Sequence, residues 1–279
     1  MKRVPPILLL IAFLAAVVLA AQGIPFDPMQ GIVQVDITID GHAKGRFGID
    51  TGADHLYVDR EWAAEHSLSV SGGQPMRSVQ GIEGHSAART MSIRSLEIGN
   101  ERLYNVDAVA IDLGALIADK RAAPPDGLIG YSILRRFYIT IDYPKHSMLL
   151  EQAEPEFLKG KAPRSVPFTQ VNHLIMVEVT FNDSITVPMA LDYCATHVFV
   201  SPELASRLGV NAGDPKATVG KVSLGGVINS ESVYASVRDL GNLKQRLKGV
   251  EIEGLIGASF LYRHKITIDY RRNLIYLRN

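Results

Sequence analysis

Phe47-Gly48-Ile49-Asp50-Thr51-Gly52-Ala53 and Met189-Ala190-Leu191-Asp192-Tyr193-Cys194-Ala195 are two readings of one segment, and their relation decides the fold. Asp192 lies 142 positions after Asp50. The same offset places Val33, Val35, Ile37 and Ile39 on Ile175, Val177, Val179 and Phe181. Both runs alternate apolar with polar residues, the period-two pattern of a half-buried strand. Downstream, His55, Val58, Glu61 and Ala63 fall on His197, Val200, Glu203 and Ala205. A short helix is expected after each Asp. In the second copy Ser201 reads as its N-cap, Pro202 as its first residue and Gly209 as its stop. The copies also close alike. Asp126-Gly127-Leu128-Ile129-Gly130 leads to Ile139-Thr140-Ile141-Asp142-Tyr143, and Glu253-Gly254-Leu255-Ile256-Gly257 leads to Ile266-Thr267-Ile268-Asp269-Tyr270. There the offset is 127, so the second copy has lost 15 residues in between. Three blocks in the same order are an internal duplication.

The chain has 279 residues, 47% of them hydrophobic, with 24 Gly and 14 Pro. That composition suits one large or two medium globular units with cores of their own. Basic and acidic residues number 29 each, so the net charge is near zero and nothing favours nucleic acid or another polyanion as partner. The single cysteine, Cys194, excludes an intramolecular disulfide, and it reads as a small apolar residue in a turn. The eight histidines show no metal-ligand spacing. His55 and His197, at matched positions, read as packing under their loops. Residues 1–21 carry Lys2 and Arg3 ahead of an apolar stretch, with small residues around Val18-Leu19-Ala20. This pattern is a secretory signal or an uncleaved N-terminal anchor, and it places the body of the chain in the periplasm or outside the cell.

Short strands separated by Gly and polar turns dominate, with a further helix expected around Tyr131–Arg136. The fold class is mainly β: a first lobe over 31–153, a linker over 154–171 rich in Pro, and a second lobe over 172–279, with a cleft between the lobes. The first lobe carries an extra piece of about 16 residues that includes Gly81-Ile82-Glu83-Gly84, the composition of a hairpin tip.

These residues resemble the aspartic peptidases of the retropepsin-like group. The first lobe has the Asp-Thr-Gly-Ala loop, a glycine-bearing flap and Leu128-Ile129-Gly130 before a helix, and the second has the first element altered and the third intact. The chain looks like a retropepsin-type unit duplicated into a bilobal, pepsin-like arrangement, and the resemblance covers nearly everything after residue 30. It implies acid-protease-like lobes and Asp50 and Asp192 as a catalytic pair. Two carboxylates a few ångströms apart share a proton, so one can activate water while the other protonates an oxyanion. The resemblance further implies a loop supported by Thr51, Gly52 and Ala53, a flap of Gly81, Ile82, Glu83 and Gly84 over an extended peptide, and Asp54 as a substrate contact. It implies no metal or cofactor, and a monomer; the alternatives are a non-catalytic peptide-binding relative with a decayed second Asp loop, or a peptidase active as an Asp50/Asp50 homodimer.

The second loop departs from the pattern. Tyr193 replaces the threonine of a cross-lobe hydroxyl pair, and Cys194 replaces a glycine. Where that turn requires positive φ, the added Cβ costs about 1–2 kcal/mol.

Overall fold

The computed structural model describes residues 23–27, 32–70, 77–81, 84–116, 124–160, 163–211, 213–214 and 217–278. The N-terminal apolar segment, Ile82 and Glu83 lie outside these residues. The first half runs β1 (Ile24–Pro25), β2 (Gln34–Ile39), β3 (Ala43–Ile49), β4 (Leu56–Asp59), α1 (Arg60–Glu65), β5 (Arg77–Gln80), β6 (His85–Ile98), β7 (Glu101–Ile111), β8 (Gly127–Ile129), α2 (Tyr131–Leu134), β9 (Tyr138–Asp142) and β10 (Ser147–Glu151). The second runs β11 (Ser165–Pro167), β12 (Thr169–Val171), β13 (Leu174–Phe181), β14 (Ile185–Leu191), β15 (Val198–Val200), α3 (Pro202–Leu208), β16 (Thr218–Leu224), β17 (Ile228–Val237), α4 (Gly241–Arg246), β18 (Gly254–Ile256), α5 (Ala258–Leu261), β19 (Lys265–Asp269) and β20 (Leu274–Arg278).

Each half closes into a six-stranded barrel. The first has the order β2-β3-β8-β4-β7-β6 and is closed by β6 on β2, with Ile37 opposite Ile98. The second has the order β13-β14-β18-β15-β17-β16 and is closed by β16 on β13, with Val179 opposite Leu224. Closure satisfies the strand edges that would otherwise stand open. The alternating apolar residues of β2 and β13 supply core positions such as Val35, Ile37, Val177 and Val179, all buried. The expected helices form: α3 starts at Ser201, whose side chain accepts the Leu204 N–H, with Pro202 in its first turn. In α1 the same capping role falls to Asp59, which accepts from Glu61 and Trp62.

A third sheet, β1-β10-β9-β19-β20-β11, joins the lobes, three strands from each half. At its centre β9 pairs antiparallel with β19, and Thr140 faces Thr267, its own repeat equivalent. Their buried hydroxyls are 2.7 Å apart, and a pseudo-twofold axis passes between them.

This sheet corrects the reading of 154–171 as a linker. Val166-Pro167-Phe168 lies 142 positions after Ile24-Pro25-Phe26, and both stretches are structured alike. The Phe26 N–H donates to His146 O and the Phe168 N–H to Asn273 O, each at 3.0 Å. Each Phe ring also packs edge-on against the Tyr that closes its half, Tyr143 or Tyr270. The connection proper therefore ends before β11, while β12 already belongs to the second lobe's sheet. The duplication likewise begins earlier than residue 31, at β1.

The extra piece of the first lobe is the β5–β6 hairpin, with the Gly81 N–H donating to Gly84 O at 2.8 Å. Among the described residues, the second lobe has no counterpart of β5.

Candidate active site

Asp50 and Asp192 each follow the last residue of a barrel strand, β3 and β14. The following strand pair and short helix hold each loop from behind. The Asp50 N–H donates to Ile129 O at 3.0 Å, and the Asp192 N–H to Ile256 O at 2.9 Å. The first N–H of α2, from Tyr131, donates to Ala53 O at 2.9 Å, and that of α5, from Ala258, to Ala195 O at 2.8 Å. The carboxylates are oriented the same way too. The Gly52 N–H donates to Asp50 Oδ1 at 2.7 Å and the Cys194 N–H to Asp192 Oδ1 at 2.8 Å.

The two loops meet and bring the Asp50 and Asp192 carboxyl groups together beside Gly52. A Cβ at position 52 would stand 3.1 Å from a carboxylate oxygen of each. Gly52 is thus favoured by closeness to the pair and not by its φ, which is not positive. Cys194 is likewise absent from the positive-φ region, so the backbone penalty expected from its Cβ does not arise.

Burial and the charge of its partner push the Asp50 pKa well above the ordinary value, against the N–H donors of Gly52 and Ala53, which lower it. Burial also raises Asp192. The pair therefore retains one shared proton at pH values where an exposed Asp is ionised, and its titration belongs to both residues together. Burial, followed by the charges of Asp50 and Asp192, raises the Cys194 thiol well above its usual pKa. Both influences favour the neutral thiol over the nucleophilic thiolate.

Thr51 is fully buried and bridges the lobes. Its hydroxyl donates to Leu191 O at 2.8 Å and accepts the Tyr193 N–H at 3.2 Å. One side of the expected hydroxyl pair is thus intact. On the other, the Tyr193 ring is buried and stacks on Tyr143, with centroids 6.1 Å apart and planes at 15°. The equivalent of Tyr143 is Tyr270, which meets Tyr131 edge-on at 5.4 Å. Position 131 of the first lobe is Ala258 in the second. Large and small residues have therefore exchanged places: Thr51 goes with Tyr131, and Tyr193 with Ala258.

Beside Asp50 opens a cavity of ≈650 Å³, lined by the Asp loop, by Ser78, Val79 and Gly81 of the hairpin, and by His173 and Arg246 of the second lobe. Asp54 lies in its wall. Burial alone raises the Asp54 pKa, but the Tyr57 hydroxyl donating at 2.5 Å and the His55 ring at 3.0 Å outweigh it, and the net shift is downward. His55 is exposed and lines this cavity, which corrects its reading as a residue packed under the loop. His197 is half-buried against Phe199, with Nδ1 on the Thr196 hydroxyl at 2.8 Å. The hairpin tip rests on the turn after β7, where a Cβ on Gly84 would stand 2.2 Å from Ala115 O.

Two residues of this site carry no motif. His173, in the β12–β13 turn, has Nε2 2.8 Å from Gly52 O, and burial lowers its pKa. Arg246 ends α4. A sequence signal for this region does exist: Asp239-Leu240-Gly241-Asn242-Leu243 repeats Asp112-Leu113-Gly114-Ala115-Leu116 at the 127 offset, which marks α4 as part of the duplication.

A paired-carboxylate centre between two duplicated β-barrels defines an acid-protease-like protein. In agreement, the sequence profile described as aspartyl protease matches residues 35–133 and 177–260, one stretch in each lobe. The chain belongs to this retropepsin-like aspartyl protease family. No curated protein matches it.

Proposed function

We propose that the protein is an aspartic endopeptidase, hydrolysing peptide bonds with a water held between Asp50 and Asp192. The observation that carries this reading is the meeting of two carboxyl groups beside Gly52, each oriented by a backbone N–H. The ionised member takes a proton from the water as it attacks the scissile carbonyl, and the protonated member donates to the developing oxyanion. Collapse of the tetrahedral species returns a proton to the leaving amine and regenerates the singly protonated pair. Nothing in this sequence of steps calls for a cofactor. An extended peptide lies in the cleft under the β5–β6 hairpin, with Gly81, Gly84 and the residues between them as its cover and Asp54 as a polar contact in the wall. We further infer from residues 1–21 that the working chain is exported, which fractionation of cells expressing the full sequence tests.

Cleavage of a peptide library by purified protein from acidic to neutral pH is the direct test of activity. It is run beside Asp50→Asn and Asp192→Asn and with an inhibitor directed at aspartic peptidases. Cleavage lost in both variants supports the pair, and cleavage retained by Asp192→Asn overturns it. The incomplete threonine bridge favours one second reading, a peptide-binding relative without turnover. Peptide binding with no cleavage at any pH would establish it.

A further inference from the structure

Gly52 stands between the carboxyl pair and the second lobe, and it is held from both sides. Its N–H donates to Asp50 Oδ1 at 2.7 Å, and its carbonyl oxygen lies 2.8 Å from Nε2 of His173. A carbonyl only accepts, so Nε2 carries the proton and the ring donates. A short chain of donors thus runs from the second lobe through Gly52 to Asp50. The turn that presents His173 is itself anchored to the first lobe. The Gln170 side-chain amide donates to the Tyr131 hydroxyl at 2.7 Å and to Asn172 O at 2.9 Å, with Asn172 in the left-handed region at φ 55°. Tyr131 in turn donates its N–H to Ala53 O, at the end of the Asp50 loop. The β12–β13 turn therefore grips that loop at two points, directly by His173 and through Tyr131 by Gln170. The grip runs one way. At the 142 offset Gln170 and His173 fall on Pro28 and Gly31, which have no side-chain donor, and at the 127 offset Tyr131 falls on Ala258. Burial lowers the His173 pKa, against Gly52 O and Asp54 and together with Arg246 and His55, which keeps the ring a neutral donor.

We propose that His173 is a positioning residue for the hydrolysis, fixing the Asp50 loop from the opposite lobe by its bond to Gly52 O. The inference rests on the peptidase reading and adds to it a residue that the Asp motif does not contain. The bond fixes where the Gly52 backbone stands, and with it the Asp50 oxygen that the Gly52 N–H orients. It also draws charge onto the Gly52 carbonyl, which strengthens the Ala53 N–H of the same peptide as a donor. The N–H donors of Gly52 and Ala53 lower the Asp50 pKa, so a stronger donor holds the titration of the pair lower. Loss of His173 therefore moves that titration upward.

The test compares the full native chain with His173→Phe, which keeps a ring and removes the donor, and with His173→Gln, whose amide N–H can stand where Nε2 stood. Peptide cleavage is followed as kcat, KM and the pH profile of kcat/KM. A tether lost beside the pair is expected to lower kcat by about tenfold in His173→Phe, with KM little changed. Both limbs of the pH profile move to higher pH, because a donor that stabilises the ionised pair has been weakened. His173→Gln recovers most of kcat and returns the limbs toward their native positions. Native kcat and native limbs in His173→Phe overturn the proposal. So does an equal loss of kcat in both variants, which marks His173 as a packing residue. Either result leaves the peptidase reading standing. Should His173→Phe fail to fold, Gln170→Leu carries the test, since it releases the turn from Tyr131 and leaves His173 in place: limbs moved upward support the proposal, and native limbs overturn it. Should the native chain cleave no peptide, the peptidase reading falls, and the grip is judged by the titration of the Asp50 carboxyl carbon in NMR. A titration raised in His173→Phe and restored in His173→Gln supports it, and an unchanged one overturns it.

Discussion

Tyr193 is the residue at which this chain departs furthest from its first half, and the departure is structural before it is catalytic. Its ring is buried to 1% exposure and stacks on Tyr143, and the second lobe has the small Ala258 where the first has Tyr131. Restoring the symmetric residue therefore does not restore the symmetric loop. In Tyr193→Thr the returned hydroxyl gains about 1 kcal/mol of hydrogen bonding. The lost ring leaves a cavity, and emptying an aromatic site costs about 3–5 kcal/mol. The variant is expected to be less stable by about 2 kcal/mol or more in urea unfolding, and equal or greater stability would show that Ala258 and its neighbours close the gap. The carboxyl pair has the opposite character, since its burial comes at the expense of stability. Both folded pKa values are raised above the ordinary value of 3.8, so above about pH 4 the folded chain holds more protons than the unfolded one. Stability from this source is complete below the unfolded pKa and is lost as pH rises through the raised folded values. Asp192→Asn removes the repulsion. Its melting temperature should exceed that of the native chain at neutral pH, with the gap shrinking toward pH 4, while cleavage is abolished. A gap independent of pH would mean that the pair does not titrate this way.

At the scale of elements, the sequence was most legible where local chemistry is strong. Ser201 and Pro202 mark the start of α3 because a side-chain cap and a fixed φ act within one turn. The alternation in β2 and β13 marks barrel strands because one face of each must be buried. Short elements stabilised by partners distant in sequence were less legible. β11 hides in a proline-bearing stretch, and only its likeness to Ile24-Pro25-Phe26 exposes it. His173 and Arg246 reach the site through a turn and a helix end of the opposite lobe, so no local pattern indicates where they arrive. The β5–β6 hairpin lies between these cases. Its glycines are readable, but the reason for Gly84 is a tertiary contact, the 2.2 Å approach that a Cβ would make to Ala115 O. Gly84→Ala must lift the tip off the turn after β7. A displacement of about an ångström near a reaction centre can cost about a hundredfold in rate. The variant is therefore expected to lose at least tenfold in kcat/KM with little change in melting temperature, because the end of β6 that pairs with β5, His85 to Ala88, lies beyond the stretch that closes the barrel. An unchanged kcat/KM would show that the tip takes no part in covering the substrate.

At the scale of the whole molecule, the duplication predicted two lobes and a shared cleft but not how the lobes are held together. The answer is the sheet in which β9 meets β19, and its register is set by a residue facing its own copy. Both repeats carry Ile-Thr-Ile-Asp-Tyr, and antiparallel pairing of identical segments about a twofold axis brings the two threonines together. Thr140 and Thr267 are 1% and 0% exposed, with hydroxyls 2.7 Å apart. Replacing one by valine leaves the other hydroxyl buried without that partner, at a cost of about 1–3 kcal/mol, whereas replacing both removes the polar demand from each side. Thr140→Val and Thr267→Val should each destabilise by about that amount, and the double variant by less than their sum, with a coupling of about 1 kcal/mol or more. Additive losses would show that each hydroxyl is satisfied independently of the other. Cleavage should persist in all three variants, because the Asp50 and Asp192 loops are tied to each other by Thr51 and not by this pair.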